Sequence, residues 1–172
     1  MERWDIYDKN RIKTGRTIER GSAFSDSEYH IVIHVCLFNH EGKMLIQQRQ
    51  PFKEGWSNLW DVTVGGSAIA GDASQTAAER EVYEEIGYRL DLREIRPHLT
   101  VNFEFGFDDY YLLEAEVEID NLKLQYEEVH QVKWASKEEI LSMIDSGEFI
   151  PYYKHLICLL FDMRVKYSAH SN

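Results

Sequence analysis

Three glutamates, Glu81, Glu84 and Glu85, follow Arg80 in the segment Arg80-Glu-Val-Tyr-Glu-Glu-Ile-Gly87. On a helix, at about 100° per residue, they share an arc of about 100°. Ala78, Val82 and Ile86 form an adjacent apolar stripe that can pack on a sheet. Like charges at this spacing destabilise an isolated helix by about 0.2 to 0.5 kcal/mol per pair, and a cation would remove that penalty. Carboxylate oxygens, water and phosphate oxygens are the ligands that magnesium favours. Arg80 can hold one carboxylate in place. Gly65-Gly66 lets the preceding backbone come close, so that a carbonyl there can reach the same ion. A lone acidic pair on a surface helix is ordinarily a solvated face. The surrounding elements therefore decide whether these acids are organised.

The helix carrying them is expected over residues 73–86, capped by Asp72 or Ser74 and stopped by Gly87. Ahead of it, residues 4–7, a polar turn at 8–11 and residues 14–16 predict an N-terminal hairpin, with a polar connection over 20–28. Residues 29–39 predict a long buried strand, with Ile31, Ile33, Val35 and Leu37 on one face and His30, Val32, His34 and Cys36 on the other. Residues 44–48 supply its hairpin partner. After a loop containing Pro51, Lys53, Gly55 and Trp56, residues 60–64 read as a short strand entering Gly65-Gly66. Further strands are expected over 100–105, 109–116 and 129–134. Ser136 to Glu139 is a capping box opening a second helix, with Gly147 after its end. A third helix over 151–164 would bury Leu156, Leu159 and Leu160. Strands interleaved with helices predict one domain over 1–172, an α/β (α+β) sandwich with a mixed central sheet.

The chain has 172 residues, enough to bury about two-thirds of its unfolded surface. A net charge of −11 disfavours a nucleic-acid polymer or an anionic membrane as partner, but not a phosphorylated small molecule reached through a cation. The first residues lack the apolar core of a signal peptide, and no stretch is apolar enough to span a bilayer. Cys36 and Cys158 form no CxxC unit, and two reduced thiols in the cytoplasm are expected. His30 and His34 share a strand face, but no third soft ligand stands at suitable spacing, so a core or pocket-wall role is expected.

From Gly66 the spacing runs glycine, five residues, Asp72, seven residues, Arg80-Glu81, then Glu84-Glu85, one residue, Gly87 and Tyr88. This resembles the Nudix box, GX5EX7REUXEEXGU, over residues 65–88, with Asp72 standing where the pattern has glutamate. The resemblance implies an α/β/α sandwich and a hydrolase of phosphorus-containing anhydrides. It implies divalent metal, Mg2+ or alternatively Mn2+, held by Glu81, Glu84, Glu85 and the Gly65 carbonyl, with Arg80 orienting the carboxylates. Asp72 is one methylene shorter than the family glutamate, which puts its contact with Arg80 in question. A diphosphate resists water because its oxygens are negative, so metal must neutralise them while a carboxylate accepts the proton. Glu81 is the candidate base inside the box. Outside it, Asp108 or Asp109, read as a connection between strands, is preferred to Glu127-Glu128. A homodimer is a further family expectation.

The likeness extends beyond the box. Residues 4–8, 14–16, 29–39 and 48–61 resemble the Nudix branch that includes isopentenyl diphosphate isomerase. In that isomerase an arginine and a lysine four positions apart hold the diphosphate, and Arg49 and Lys53 have this spacing. The isomerase also needs a Cys-Gly-His-Pro-like stretch before the box, where this chain reads Val62-Thr-Val-Gly-Gly66. Hydrolysis is therefore the leading expectation. An isomerase-like enzyme and a non-catalytic Nudix binding module are the alternatives. Trp56, Trp60, Phe103, Phe105 and Phe107 offer aromatic surface for an organic group, although alternating aromatics are more often one packed face. Nothing in the sequence selects the substrate.

Overall fold

A computed structural model describes residues 1–171. The described residues form nine strands and three α-helices. β1 (Arg3–Tyr7) and β2 (Lys13–Glu19) make a two-stranded antiparallel sheet of their own. The remaining strands form one mixed sheet: β3 (His30–Phe38), β4 (Met44–Arg49), β5 (Trp60–Asp61), β6 (Val64–Ser67), β7 (Leu99–Phe103), β8 (Gly106–Glu114) and β9 (Val129–Ala135).

β3 is the spine of that sheet. One edge pairs in parallel with the whole of β8, from His30↔Gly106 to Phe38↔Glu114. The other edge pairs with β6 over residues 32–35, then meets β4 at Phe38↔Met44. Strict alternation sorts its side chains into two cores. Ile31, Ile33, Val35 and Leu37 pack with Ala77, Ala78, Val82 and Ile86 of α1 (Ser74–Ile86). Cys36 and Phe38 face α2 (Lys137–Ser146) and α3 (Lys154–Met163) with Met44, Ile46 and Leu112. The result is the expected α/β/α sandwich. Among the described residues no helix is long and apolar enough to cross a membrane.

Several local expectations are corrected. Residues 60–64 are not one strand: β5 pairs with β4, β6 pairs with β3, and the chain crosses between them at Val62-Thr63. Thr63 makes the crossing possible by donating its hydroxyl to the Leu45 carbonyl at 2.5 Å and accepting from the Leu37 N–H at 2.9 Å. Neither Asp72 nor Ser74 caps α1. Asp72 is taken by Arg80, Ser74 hydrogen-bonds Asp109, and the Ala73 N–H is instead received by the Thr76 hydroxyl at 2.9 Å. β8 starts at Gly106, earlier than expected. A Cβ there would stand 2.3 Å from the His30 carbonyl, so only glycine lets β8 close on β3. In α3, Leu159 faces out and Ile157, Leu160 and Phe161 are buried.

The N-terminal hairpin is fastened to the sandwich by a buried ion. Asp109 is fully inaccessible and its carboxylate receives the Arg11 guanidinium, the Thr100 hydroxyl at 2.6 Å and the Ser74 hydroxyl at 2.5 Å. Removing Arg11 would leave this carboxylate buried without its cation. Arg11→Ala is expected to lower unfolding free energy in urea by about 3 to 5 kcal/mol, whereas Arg11→Lys should lose less. An unchanged denaturation midpoint for Arg11→Ala would show that the ion pair is not what holds the hairpin.

Candidate active site

Ser67, Asp72, Glu81 and Glu84 meet at one guanidinium. Arg80 Nε and Nη2 donate to Asp72 Oδ2 at 3.2 and 3.0 Å, and Nη2 also donates to the Ser67 carbonyl at 3.2 Å. Nη1 donates to Glu81 Oε1 at 2.9 Å and Glu84 Oε2 at 3.1 Å. The shorter Asp72 thus does reach Arg80, and the loop between β6 and α1 is tied to the helix at both ends. Burial works against the Arg80 charge, but Glu81 and Asp72 outweigh it and hold its pKa above the ordinary value.

The glutamates differ in environment. Glu84 is half exposed. Glu81 lies against the backbone of β6 so closely that a Cβ on Gly66 would stand 2.4 Å from its carboxyl carbon. Any side chain at position 66 would displace the carboxylate. Glu85 is buried, and its Oε2 accepts from the Gln47 amide of β4 at 2.8 Å. Burial raises the pKa of Glu81, against Arg80. Burial raises that of Glu85 further, helped by the like charges of Glu81, Glu128 and Asp61. Desolvated carboxylates at raised pKa, beside the backbone of Gly65 and Gly66, form an oxygen-rich donor set that suits a hard divalent cation. They are not a finished cage: among the described residues no three His, Cys, Asp or Glu side chains converge as a ready metal site. Arg80 and Gln47 occupy the positions that a metal would compete for.

These residues line a cleft of about 220 Å³ whose other walls carry Arg49, Lys53, Gln125 and Glu128, with Glu2 and Arg20 from the N-terminal hairpin. Its lining is polar and charged throughout, unlike the mostly apolar pockets that hold neutral ligands. Arg49 and Lys53, separated in sequence from the box, are brought into the same cleft as the glutamates. Arg49 Nε donates to the Gly55 carbonyl at 3.3 Å, and Lys53 pairs with Glu128 at 2.5 Å. A larger hollow of about 540 Å³ lies between Phe52, Tyr126 and His130 and carries no acid.

Asp108 and Asp109 are not in a connection. They are consecutive residues of β8 and so point to opposite faces. Asp109 is consumed by Arg11, Ser74 and Thr100, and Asp108 lies 3.3 Å from His34 Nε2; neither lines the cleft. The aromatics named from the sequence do not line it either. Phe107 is core, Trp60 is buried under Lys133, and Phe105 stacks with Phe24. His30 stacks against both Trp4 and Phe24, and burial pushes its pKa down to about 4, so it is a neutral core histidine. Cys36 is fully buried on the α2/α3 face, its thiol pKa pushed up by burial. Sequence reasoning missed Gln47, Arg20 and Glu2. Gln47 left a trace as a polar residue in an otherwise apolar strand core, but the partners of all three are set only by the tertiary fold.

The NUDIX domain model matches residues 28–155. An uncharacterized Nudix hydrolase of Listeria monocytogenes is 46% identical over 170 residues, covering 99% of both chains. An isopentenyl-diphosphate Delta-isomerase of Salmonella arizonae is 27% identical over 143 residues, covering 78% of this chain and 77% of its own. Among solved structures, DR0079 of Deinococcus radiodurans superposes with a TM-score of 0.73 at 24% identity, covering 92% of this chain and 97% of that one. The MutT protein of Methanosarcina mazei gives 0.62 at 22% identity, covering 80% and 96%. The matched domain, the near-full-length relative and the shared fold agree: the chain belongs to the Nudix hydrolase family.

Proposed function

We propose that the chain hydrolyses the diphosphate linkage of an organic diphosphate, with Mg2+ as the working ion and Mn2+ as a substitute. The observation that carries this reading is the meeting of two opposite charge sets in one polar cleft. The box glutamates suit a cation, and Arg49 and Lys53 suit phosphate oxygens. Nudix hydrolases generally use divalent metal ions. Glu81, Glu84, Glu85 and the Gly65 carbonyl would hold the ion here. When bound, it would supply positive charge to the phosphate oxygens and acidity to the attacking water.

The chain's own groups supply the rest. Arg80 holds Glu81 and Glu84 on one side of the cleft and fixes the loop through Ser67 and Asp72. Arg49 and Lys53 bind and orient the diphosphate, so that water attacks one phosphorus and the bridging P–O bond breaks. The proton of that water goes to a carboxylate. Glu2 and Glu128 are the acids outside the box that line the cleft; Glu2 is tied to Arg20 and the Trp4 indole, and Glu128 takes the base role that sequence reasoning gave to Asp108 or Asp109. It is paired with Lys53, and phosphate binding to Lys53 would release it to accept the proton. An isomerase reading, although an isomerase is among the relatives, gains no support from the site, because Val62 to Gly66 offers no thiol and Cys36 is sealed on the opposite face of the sheet.

Cleavage of nucleoside, sugar-nucleotide and isoprenoid diphosphates, with Mg2+ or EDTA and read as orthophosphate directly or, for sugar nucleotides, after phosphatase treatment of the two monoester products, is expected to require the metal. It should fall by about a hundredfold in kcat/KM for Glu84→Gln. Metal-independent turnover, or an unimpaired variant, would overturn the assignment. Glu128→Gln should lower kcat by about 10² or more and flatten the acidic limb of the pH profile; a retained limb would move the base to Glu81. The raised pKa of Glu85 adds a linkage. In the metal-free fold this carboxyl binds protons at pH values above the ordinary glutamate range, which begins near about 4.3. The fold then holds more protons than the unfolded chain, so stability falls as pH rises through the raised value. Metal takes the ionised form, so Mg2+ binding should release protons, seen as a buffer-dependent enthalpy in titration calorimetry. Glu85→Gln should abolish part of that release, and buffer-independent heats would show that no carboxyl is protonated before binding.

A further inference from the structure

The family match begins at residue 28, yet the cleft contains two side chains from before it, Glu2 and Arg20. They arrive there because the β1–β2 hairpin is bonded to the loop that precedes α1. The Ala70 N–H donates to the Arg3 carbonyl at 2.7 Å, and the Gly71 N–H donates to Asp5 Oδ2 at 2.8 Å. Lys13 Nζ reaches the Asp72 carbonyl at 3.0 Å. The open end of the hairpin is thereby held over the site.

We propose that Arg20 is a phosphate-holding residue supplied by this hairpin, and that Glu2 occupies its guanidinium until the substrate's diphosphate displaces it. The inference rests on the diphosphate reading of the cleft and names a further contact for that substrate. Arg20 Nη1 donates to Glu2 Oε2 at 3.1 Å, while Glu2 Oε1 accepts from the Trp4 indole at 2.8 Å. Of the other cations of the cleft, Arg49 makes one bond among the described residues, to the Gly55 carbonyl, and two are more heavily committed. Arg80 is spread over four acceptors, and Lys53 is closed on Glu128. Arg20 has one side-chain contact among the described residues and stays 62% exposed, so its remaining N–H donors can form the two-point contact that phosphate accepts. A carboxylate on a guanidinium is an acceptable stand-in for a phosphate. Glu2 also adds to the negative charge around Glu81.

Binding of methylenediphosphonate at saturating Mg2+, measured by titration calorimetry, tests the exchange alongside turnover of the best diphosphate substrate. Arg20→Ala should weaken binding about tenfold or more and raise KM more than it lowers kcat. Arg20→Lys should recover part of the loss. Glu2→Gln should tighten binding severalfold, and the double variant should bind like Arg20→Ala. If Arg20→Ala and Glu2→Gln lower thermal stability but leave affinity and KM unchanged, the pair only fastens the hairpin and the inference is overturned. If the wild type binds methylenediphosphonate with Arg20 dependence but turns over no diphosphate, the hydrolase reading fails while the Arg20 assignment stands. Failure of the wild type to bind methylenediphosphonate would overturn both.

Discussion

Concentrating negative charge on a helix that must also pack against a sheet is the constraint on which the site depends. Arg80 answers it. Its guanidinium reaches the Ser67 carbonyl and Asp72 on the incoming loop and Glu81 and Glu84 on the helix, so a single planar cation sets the loop, the first turns of α1 and two of the three acids relative to one another. The arrangement is a planar fork meeting several oxygens, which a lysine could not reproduce as a point charge. Glu85 lies beyond its reach and is stabilised from the other side by Gln47 on β4. The helix is therefore clamped electrostatically between the two strands that diverge from β3, and its apolar stripe of Ala78, Val82 and Ile86 closes the sandwich beneath.

The divergence is the second structural requirement. β3 gives its edge first to β6 and then to β4, and the chain between them turns at Thr63, whose hydroxyl bridges both neighbours. This opens a gap at the top of the sheet, and Gly65, Gly66, the box glutamates, Arg49 and Lys53 line the cleft there. The same geometry makes Gly66 obligatory: Glu81 fills the volume that a side chain would need.

Much of this was legible in the residues alone. The period of α1, its Gly87 stop and the two-faced pattern of β3 are local signals, and they located the sandwich and the acidic face. The four-residue spacing of Arg49 and Lys53 led to the cleft only through likeness to a known enzyme. What local pattern could not show was competition for side chains. Asp72 and Ser74 are both good caps, but Arg80 and Asp109 claim them. Asp108 and Asp109 are indistinguishable in a string of letters, yet a strand beginning at Gly106 sends them to opposite faces and buries one as an anchor. Gln47 and Glu85 meet across 38 positions of chain, and Arg11 and Asp109 across 98. Such pairings exist only once the sheet has formed.

The hairpin has a thermodynamic consequence of its own. Among the described residues it shares no ladder with the central sheet beyond the Tyr7↔Tyr29 bridge, and two strands alone are only marginally stable in water. Its ordered position is therefore sustained by buried Ile6 and Tyr7, the stacking of Trp4 on His30, the Arg11 anchor and the bonds to residues 70–72. Contacts this far apart in sequence form late, because loop closure precedes any return from them. A ligand held by both sandwich and hairpin would experience an affinity scaled by the fraction of molecules with the hairpin seated. Recognition and the completeness of folding would then be one equilibrium, adjustable from a segment that never touches the scissile bond.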